Sequence, residues 1–274
     1  MLDGDAGAER GHGQDGEERQ PFFAGVVGRL AARTEFRLFF DFLDFFDFFV
    51  FTQSGPIVRF AAMSRRFDRL IDTLSTTAVS ARACNQYSRL EGDLRQNAIR
   101  RRNLRLYLSD LESIGSRMLL IGEAPSYRGG RLTGIPFVSE TVMLGGIDGI
   151  ILGADRGYRK ATDGPKLSTE ASATMVWGTI RGIEPLPALW NAFPFHPFHA
   201  PDPNTNRVPT TAELETGAPF IEWLLRLLPI ETVVAIGNQA SISLTRLGIA
   251  HVRVRHPSQG GKNLFVAGMK RLAR

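Results

Sequence analysis

The apolar positions in the second half of the chain fall into short blocks separated by glycine, proline and asparagine. Met118 to Ile121 are unbroken apolar residues of strand length, and Gly122 and Pro125 stop the run. A second block ends at Asn191, a third covers residues 231–237, and a fourth covers residues 251–258. Between the blocks the spacing turns helical. Phe67, Leu70, Ile71 and Leu74 recur at helical intervals, and Leu94, Ile99, Leu104 and Leu106 follow inside the basic run RQNAIRRRNLRLYL, so residues 64–108 predict two helices. Residues 168–180 predict another, with Ser168, Thr169 and Glu170 placed to cap its start. Thr210 or Thr211 caps a helix running to residue 228, and residues 238–247 and 263–272 complete the set. Strand and helix alternate, which predicts an α/β fold: three α/β/α layers around a central four-stranded, mainly parallel sheet.

Other stretches break this rhythm. Residues 1–20 are mostly Gly, Asp, Glu and Gln and hold too little apolar surface to offset the entropy of ordering, so they predict disorder. The run FRLFFDFLDFFDFFVF carries phenylalanine on every side with aspartates at intervals of three, which is neither an amphipathic helix nor a strand. It is either a partner-binding helix or part of an upstream extension over residues 1–62 with Met63 as the true start; residues 63–274 then make one domain. Arg37, Asp41, Asp44 and Asp47 interrupt the run, and it falls short of the ~20 residues a membrane span needs, so no membrane association is expected. Residues 147–166 mix glycines with Asp155, Arg156, Arg159 and Lys160 and predict a mobile basic loop.

Charge sharpens the division. Residues 1–62 hold six Lys/Arg against ten Asp/Glu, and residues 63–274 hold 27 against 18. A basic body suits a polyanionic partner such as nucleic acid. Arg95, Arg100, Arg101, Arg102 and Arg105 predict a solvated helix face, with phosphate contact as the sharper alternative. The single cysteine, Cys84, rules out an internal disulfide, a four-cysteine zinc site and a self-contained iron–sulfur cluster, and suits a reducing cytoplasm. His196 and His199 sit among prolines with no third ligand in view, so no metal is expected.

Three of the predicted strands end in polar residues: Glu123 after the first, Asn191 after the second, His256 after the fourth. In a parallel sheet those ends share one edge, where ligands of open α/β sheets sit. A carboxylate, an amide and an imidazole can therefore meet in one pocket, with Phe137 close in sequence to the first. Each residue alone has a plainer reading: Glu123 as a helix cap, Asn191 as a turn closer, the His256–Pro257 pair as loop punctuation.

The segments GEAPSYRGGRLTGIPF, NAFPFHP and VRHPSQGGKN resemble, in order and spacing, the motifs of the uracil-DNA glycosylase superfamily, most closely the branch whose first motif reads Gly-Glu-Ala-Pro. The resemblance covers roughly residues 117–274 and implies a monofunctional glycosylase that opens base excision repair without metal or organic cofactor. It implies that Glu123 handles the catalytic water, Phe137 stacks on a flipped base, Asn191 reads its edge and His256 hydrogen-bonds it as the bond breaks. Gly122, Ala124, Pro125 and Tyr127 would complete the base pocket. Ser258, Gln259, Gly260, Gly261 and Lys262 would approach the DNA backbone, where glycines permit close main-chain contact. A monomer acting on uracil-containing DNA in the cytoplasm, at a bacterial nucleoid, is expected. Three departures stand out. Ala124 occupies the position where the Gly-Gln-Asp-Pro-Tyr branch keeps an aspartate, Ser126 stands where that branch has the tyrosine that excludes thymine, and the four cysteines of the iron–sulfur branch are missing. A glycosylase for other damaged bases and a non-catalytic DNA-binding protein on the same fold remain alternatives.

Overall fold

The computed structural model of the chain describes residues 67–273. The acidic head, the phenylalanine-rich segment and the boundary near residue 62 lie outside the described residues.

Residues 67–76 form helix α1, which buries Phe67, Leu70, Ile71 and Leu74. A two-residue strand β1 (Ala83–Cys84) follows. Helix α2 (Leu94–Ile114) starts at Asp93, whose side chain accepts from the Gln96 amide, and ends at Gly115 in the left-handed region that spares glycine the cost of a Cβ. Strand β2 (Met118–Gly122) leads into two short helices, α3 (Gly130–Thr133) and α4 (Glu140–Gly145). Helix α5 (Ala171–Ile180), strand β3 (Ala188–Asn191) and the two-residue strand β4 (His196–Pro197) come next. Helix α6 (Thr211–Leu227), strand β5 (Thr232–Ile236), helix α7 (Asn238–Arg246), strand β6 (Val252–Val254) and helix α8 (Lys262–Leu272) close the fold.

The central sheet has the order β3-β2-β5-β6 with every neighbour parallel, and β1 pairs antiparallel with β4 outside it. Successive strand residues point to opposite faces, so the unbroken burial of Leu119 to Gly122 and of Ala188 to Asn191 means that both sheet faces are covered. That makes the three-layer α/β/α arrangement. Leu119, Leu120, Ile121, Leu189, Trp190, Val234 and Ala235 form the centre of the core. Edge strand β6 is less well covered: Val252 and Arg253 are exposed and only Val254 is buried. It spans three residues rather than the expected eight, because pairing with β5 stops at Val254 and Pro257 has no amide hydrogen to extend it.

Helix α6 shows why the proline-rich excursion before it can end so sharply. Thr210 accepts from the Glu213 amide while the Glu213 carboxylate accepts from the Thr210 amide, a full capping box. Glu213 also binds Arg207 at 2.6 and 2.7 Å and Ser80 at 2.8 Å, and both members of the ion pair are buried. Burial alone would raise the Glu213 carboxyl, but Arg207, the Thr210 amide and Ser80 outweigh it and hold the group down at about 2. The helix also passes very close to the end of β3, where a Cβ at Gly217 would run into the Ala192 carbonyl.

Three expectations are corrected. The α2 arginines are a solvated face only in part: Arg95 is exposed and Arg105 partly so, but Arg100 is buried and binds the Leu132 carbonyl at 3.1 Å, and Arg101 binds the carbonyls of Tyr87 and Ser88. Arg102 reaches the Gly157 carbonyl, Arg105 pairs with Asp68, and Arg95 pairs with Asp163. Each guanidinium meets a partner distant in sequence, which helical spacing cannot reveal. Residues 147–166, expected as a mobile basic loop, are anchored at several buried positions while residues 163–166 stay exposed. Ile151, Leu152 and Tyr158 are buried, Asn103 brackets Arg159 by bonding both its amide and its carbonyl, and the Tyr158 hydroxyl donates to Asp110 at 2.7 Å. Ser168 does not cap α5. Its hydroxyl accepts from the Glu140 amide and its own amide donates to the Glu140 carboxylate, so it ties α4 to the segment before α5.

Candidate active site

The parallel pairing brings the polar strand ends together. Gly122 stands opposite Asn191 in register, and the ladder runs on past both strands as the Ala192 amide donates to the Gly122 carbonyl at 2.8 Å and the Phe193 amide to the Glu123 carbonyl at 3.0 Å. On the other side the Gly237 amide donates to the Val254 carbonyl at 2.9 Å, which fixes the start of the loop carrying His256. A cavity of about 480 Å³ opens at this edge. Glu123, Ala124, Pro125, Phe137, Asn191, His256, Ser258 and Gln259 all line it, so residues from all three motifs share one space. Tyr127 does not line it; its amide instead donates to the Asn206 side-chain Oδ1 at 3.0 Å. Gly122 lies beneath the Phe137 ring, and a Cβ there would occupy the space of that ring.

Phe137 is held in an unusual conformation. Its φ of 56° is left-handed, which for a bulky residue costs about 1–2 kcal/mol and persists only where the surroundings impose it. The buried Trp177 supplies part of that constraint, since its indole N–H donates to the Phe137 carbonyl at 2.9 Å. The ring is thereby pinned over Gly122, close to the Asn191 side chain. Asn191 is 1% exposed, and its amide oxygen is buried without a hydrogen-bond partner. An acceptor left in that state costs ~1–3 kcal/mol, which a ligand donor would recover.

His256 is positioned through its Nδ1. The Ser258 hydroxyl lies 2.7 Å from that nitrogen and the Ser258 amide donates to it at 3.2 Å. A nitrogen that accepts from an amide carries no proton, so in the neutral ring the proton sits on Nε2 and is free to be donated. Burial and the neighbouring Arg255 charge push the imidazole below its ordinary range, which favours this neutral form. Burial pushes the Glu123 carboxyl up, with no cation to offset it. Gln259, at the cavity mouth, is exposed and has a φ of 50°, another left-handed residue without glycine's freedom. Gly260 and Gly261 follow, and Lys262 begins helix α8 with its side chain exposed.

The proline-rich excursion serves as the support for the first motif. His196 is fully buried, with Nδ1 2.8 Å from the Pro125 carbonyl and Nε2 3.0 Å from the Pro203 carbonyl. Burial pushes its pKa down while those carbonyls pull it up. Asn206 holds Tyr127 and Asn204 holds Arg131, so the loop after β2 is fastened at three points. Among the described residues no group of three or more His, Cys, Asp or Glu is arranged to hold a metal ion, and no helix is long and apolar enough to cross a membrane.

Several cavity residues were not expected at the site, among them Asn206, Arg207, Asn238, Gln239, Arg255 and Glu170. Glu170, expected only as a helix cap, immediately precedes α5 without capping it and lines the cavity together with Ser126 and Ser172. No local signal marks it, because its neighbours in space come from the loop after β2.

The model of the uracil DNA glycosylase superfamily matches residues 109–267, more than half of the chain. The chain belongs to that superfamily, whose members are glycosylase hydrolases of DNA repair and engage DNA. No curated protein matches it.

Proposed function

We propose that the protein is a monofunctional uracil-DNA glycosylase that flips uracil out of DNA and hydrolyses its N-glycosidic bond, the first step of base excision repair. The observation that carries the reading is the unpartnered, buried amide oxygen of Asn191 beside the strained Phe137 ring. Uracil presents an N3–H donor beside the O4 acceptor, the complement of an asparagine amide. Cytosine presents an acceptor and a donor in reverse, and would leave buried polar groups unpaired. Phe137 offers a face to the extruded base.

Bond cleavage leaves positive charge on the sugar and negative charge on the base. The Nε2–H of neutral His256 donates to the second carbonyl of uracil as that charge grows, and Glu123 orients the water that attacks the sugar. Gly122, Ala124 and Pro125 form the floor against the base, with Tyr127 behind them. Ser258, Gln259, Gly260, Gly261 and Lys262 lie along the DNA backbone, and Gln259 fills the gap left by the flipped base. The chemistry calls for neither a metal nor an organic cofactor. The protein acts as a monomer on chromosomal DNA in the cytoplasm. Incubation with duplexes carrying uracil, thymine opposite guanine, hypoxanthine or xanthine tests the substrate: uracil is released fastest, and faster release of an unmodified thymine or of a purine would overturn the assignment.

The protonation states give a pH prediction. Acidification through the raised Glu123 range neutralises the carboxylate, and acidification through the lowered His256 range charges the ring and puts a proton on Nδ1 against the Ser258 amide. Single-turnover release is therefore fastest at neutral pH and above and falls on the acid side. In Glu123→Gln the residual acid limb is shallower, because one of the two ionisations is gone; an unchanged limb would remove Glu123 from the profile.

Residues 1–62 are proposed to be dispensable. A chain beginning at Met63 keeps the release rate of the full chain in the same assay, and loss of activity would place the head within the functional protein.

A further inference from the structure

A groove of about 620 Å³ runs between α5 and α8, larger than the catalytic cavity and sharing no lining residue with it. Its floor is apolar. Met175 and Ile183 come from α5 and the turn after it, and Val266 and Met269 from α8. Thr174 and Thr179 also line it, but their hydroxyls donate one turn back to the Glu170 and Met175 carbonyls at 3.2 and 2.8 Å, and so add little polarity. Gly178 leaves a gap in this floor. A Cβ there would meet nothing within 4 Å, so no contact inside the domain calls for a glycine, although glycine weakens a helix interior.

Two cations bracket the groove, and no acidic residue lines it. Lys262 and Lys270 are exposed and without an ion-pair partner among the described residues, and the helical rise between them sets them ~12 Å apart along the axis of α8. An apolar floor with a positive rim is complementary to a chain that carries carboxylates beside large apolar side chains. A nucleic-acid strand would match the lysines alone. No aromatic side chain lines the groove to stack on a base, and a phosphate backbone would leave the apolar floor uncovered.

We propose that the groove between α5 and α8 is a docking site for an acidic segment of a partner protein, which seats large apolar side chains over Gly178 and pairs its carboxylates with Lys262 and Lys270. Gly178 then has a use that the isolated domain does not supply: it lets the partner chain approach the backbone of α5. Lys262 also borders the segment proposed to follow the DNA backbone, so Lys270 is the rim charge that reports on the groove by itself.

The probe is a fluorescein-labelled peptide that carries Leu and Phe on one helical face and Glu on the other, titrated into the full chain while the methionine methyl groups are followed by NMR. The expected result is saturable binding that shifts the Met175 and Met269 signals and leaves that of Met143, buried outside the groove, unmoved. Lys270→Glu turns a rim attraction into repulsion and weakens the peptide about threefold or more. Gly178→Leu fills the open space and weakens it at least about tenfold, with no loss of melting temperature. The same peptide with Lys in place of Glu leaves both signals where they are. An acidic peptide that does not move Met175 and Met269 overturns the proposal, as does equal binding by the unaltered protein and both variants. Duplex DNA that shifts the same two signals and displaces the peptide would make the groove part of the nucleic-acid surface and overturn the protein partner. Shifts that depend on protein concentration with no peptide present would assign the face to a second copy of the chain, and overturn it equally.

Discussion

Asn191→Ala is expected to lower single-turnover uracil release by about 10²–10³-fold and to abolish the preference for uracil over cytosine, while non-specific DNA binding stays nearly intact. The side chain stands at the end of β3, opposite Gly122, where parallel pairing with β2 fixes its position to the register of the sheet. It is 1% exposed and its amide oxygen has no partner, so the protein holds an acceptor ready at the cost of leaving it unpaired. Truncation removes both the acceptor for N3–H and the donor for O4. Phosphate contacts, which supply most sequence-independent affinity, fall to other residues on the proposed reading and should survive. Melting temperature and a salt titration of DNA binding accompany the rate measurement. Unchanged release would take Asn191 out of the site.

His256→Ala is expected to slow the chemical step by about 10²-fold or more, with DNA affinity little changed. The serine two residues on determines why the ring works as a donor. Because Ser258 donates its amide to Nδ1, the ring proton is left on Nε2, and burial beside Arg255 keeps the ring neutral. A neutral donor beside a carbonyl that gains negative charge gives more in the transition state than in the ground state, so the loss should fall on the rate and not on binding. His256→Asn, which keeps a donor of different reach, should recover part of the rate. An effect confined to affinity would assign the histidine to DNA contact alone.

Much of this site is legible in the chain because its parts lie at the ends of buried strands. Leu119 to Ile121 and Val234 to Ile236 are apolar runs ended by glycine, and such runs are written locally. Thr210 and Glu213 likewise sit three residues apart, as a capping box requires. Parallel pairing then converts three separate strand ends into one edge without further information. The remainder depends on contacts between distant residues. Arg100 looks like one more surface cation in a basic helix, yet it is buried against the Leu132 carbonyl. The loop of residues 147–166 looks mobile because it is rich in glycine and charge, and it is ordered by Asn103 and Asp110 from α2. Glu170 looks like a cap, and only the approach of Gly129 and Ser126 brings it into the cavity wall. Trp177 carries no motif either, although its indole N–H braces the left-handed Phe137.

The Gly-Glu-Ala-Pro loop therefore depends on parts of the chain that its motif does not contain. His196 and Asn206 hold its backbone from one side while Asn204 binds the Arg131 side chain, and α5 brings Glu170 and Trp177 from another. Ala124 leaves Glu123 as the first motif's own carboxylate, and Glu123 is raised by burial without a balancing cation. Such a group loses its charge more readily than an ordinary carboxylate, which is why the acid side of the pH profile is informative.

Catalysis separates a glycosylase from a non-catalytic protein on the same fold, because DNA binding alone is compatible with both. The direct measurement mixes the full chain in excess with a duplex carrying a single uracil and follows free uracil and the abasic strand by mass spectrometry. A matched duplex with cytosine at that position is the control. Equal amounts of free base and abasic strand are expected from the uracil duplex and neither from the cytosine duplex. Tight binding of the uracil duplex with no free base and no abasic strand would contradict it.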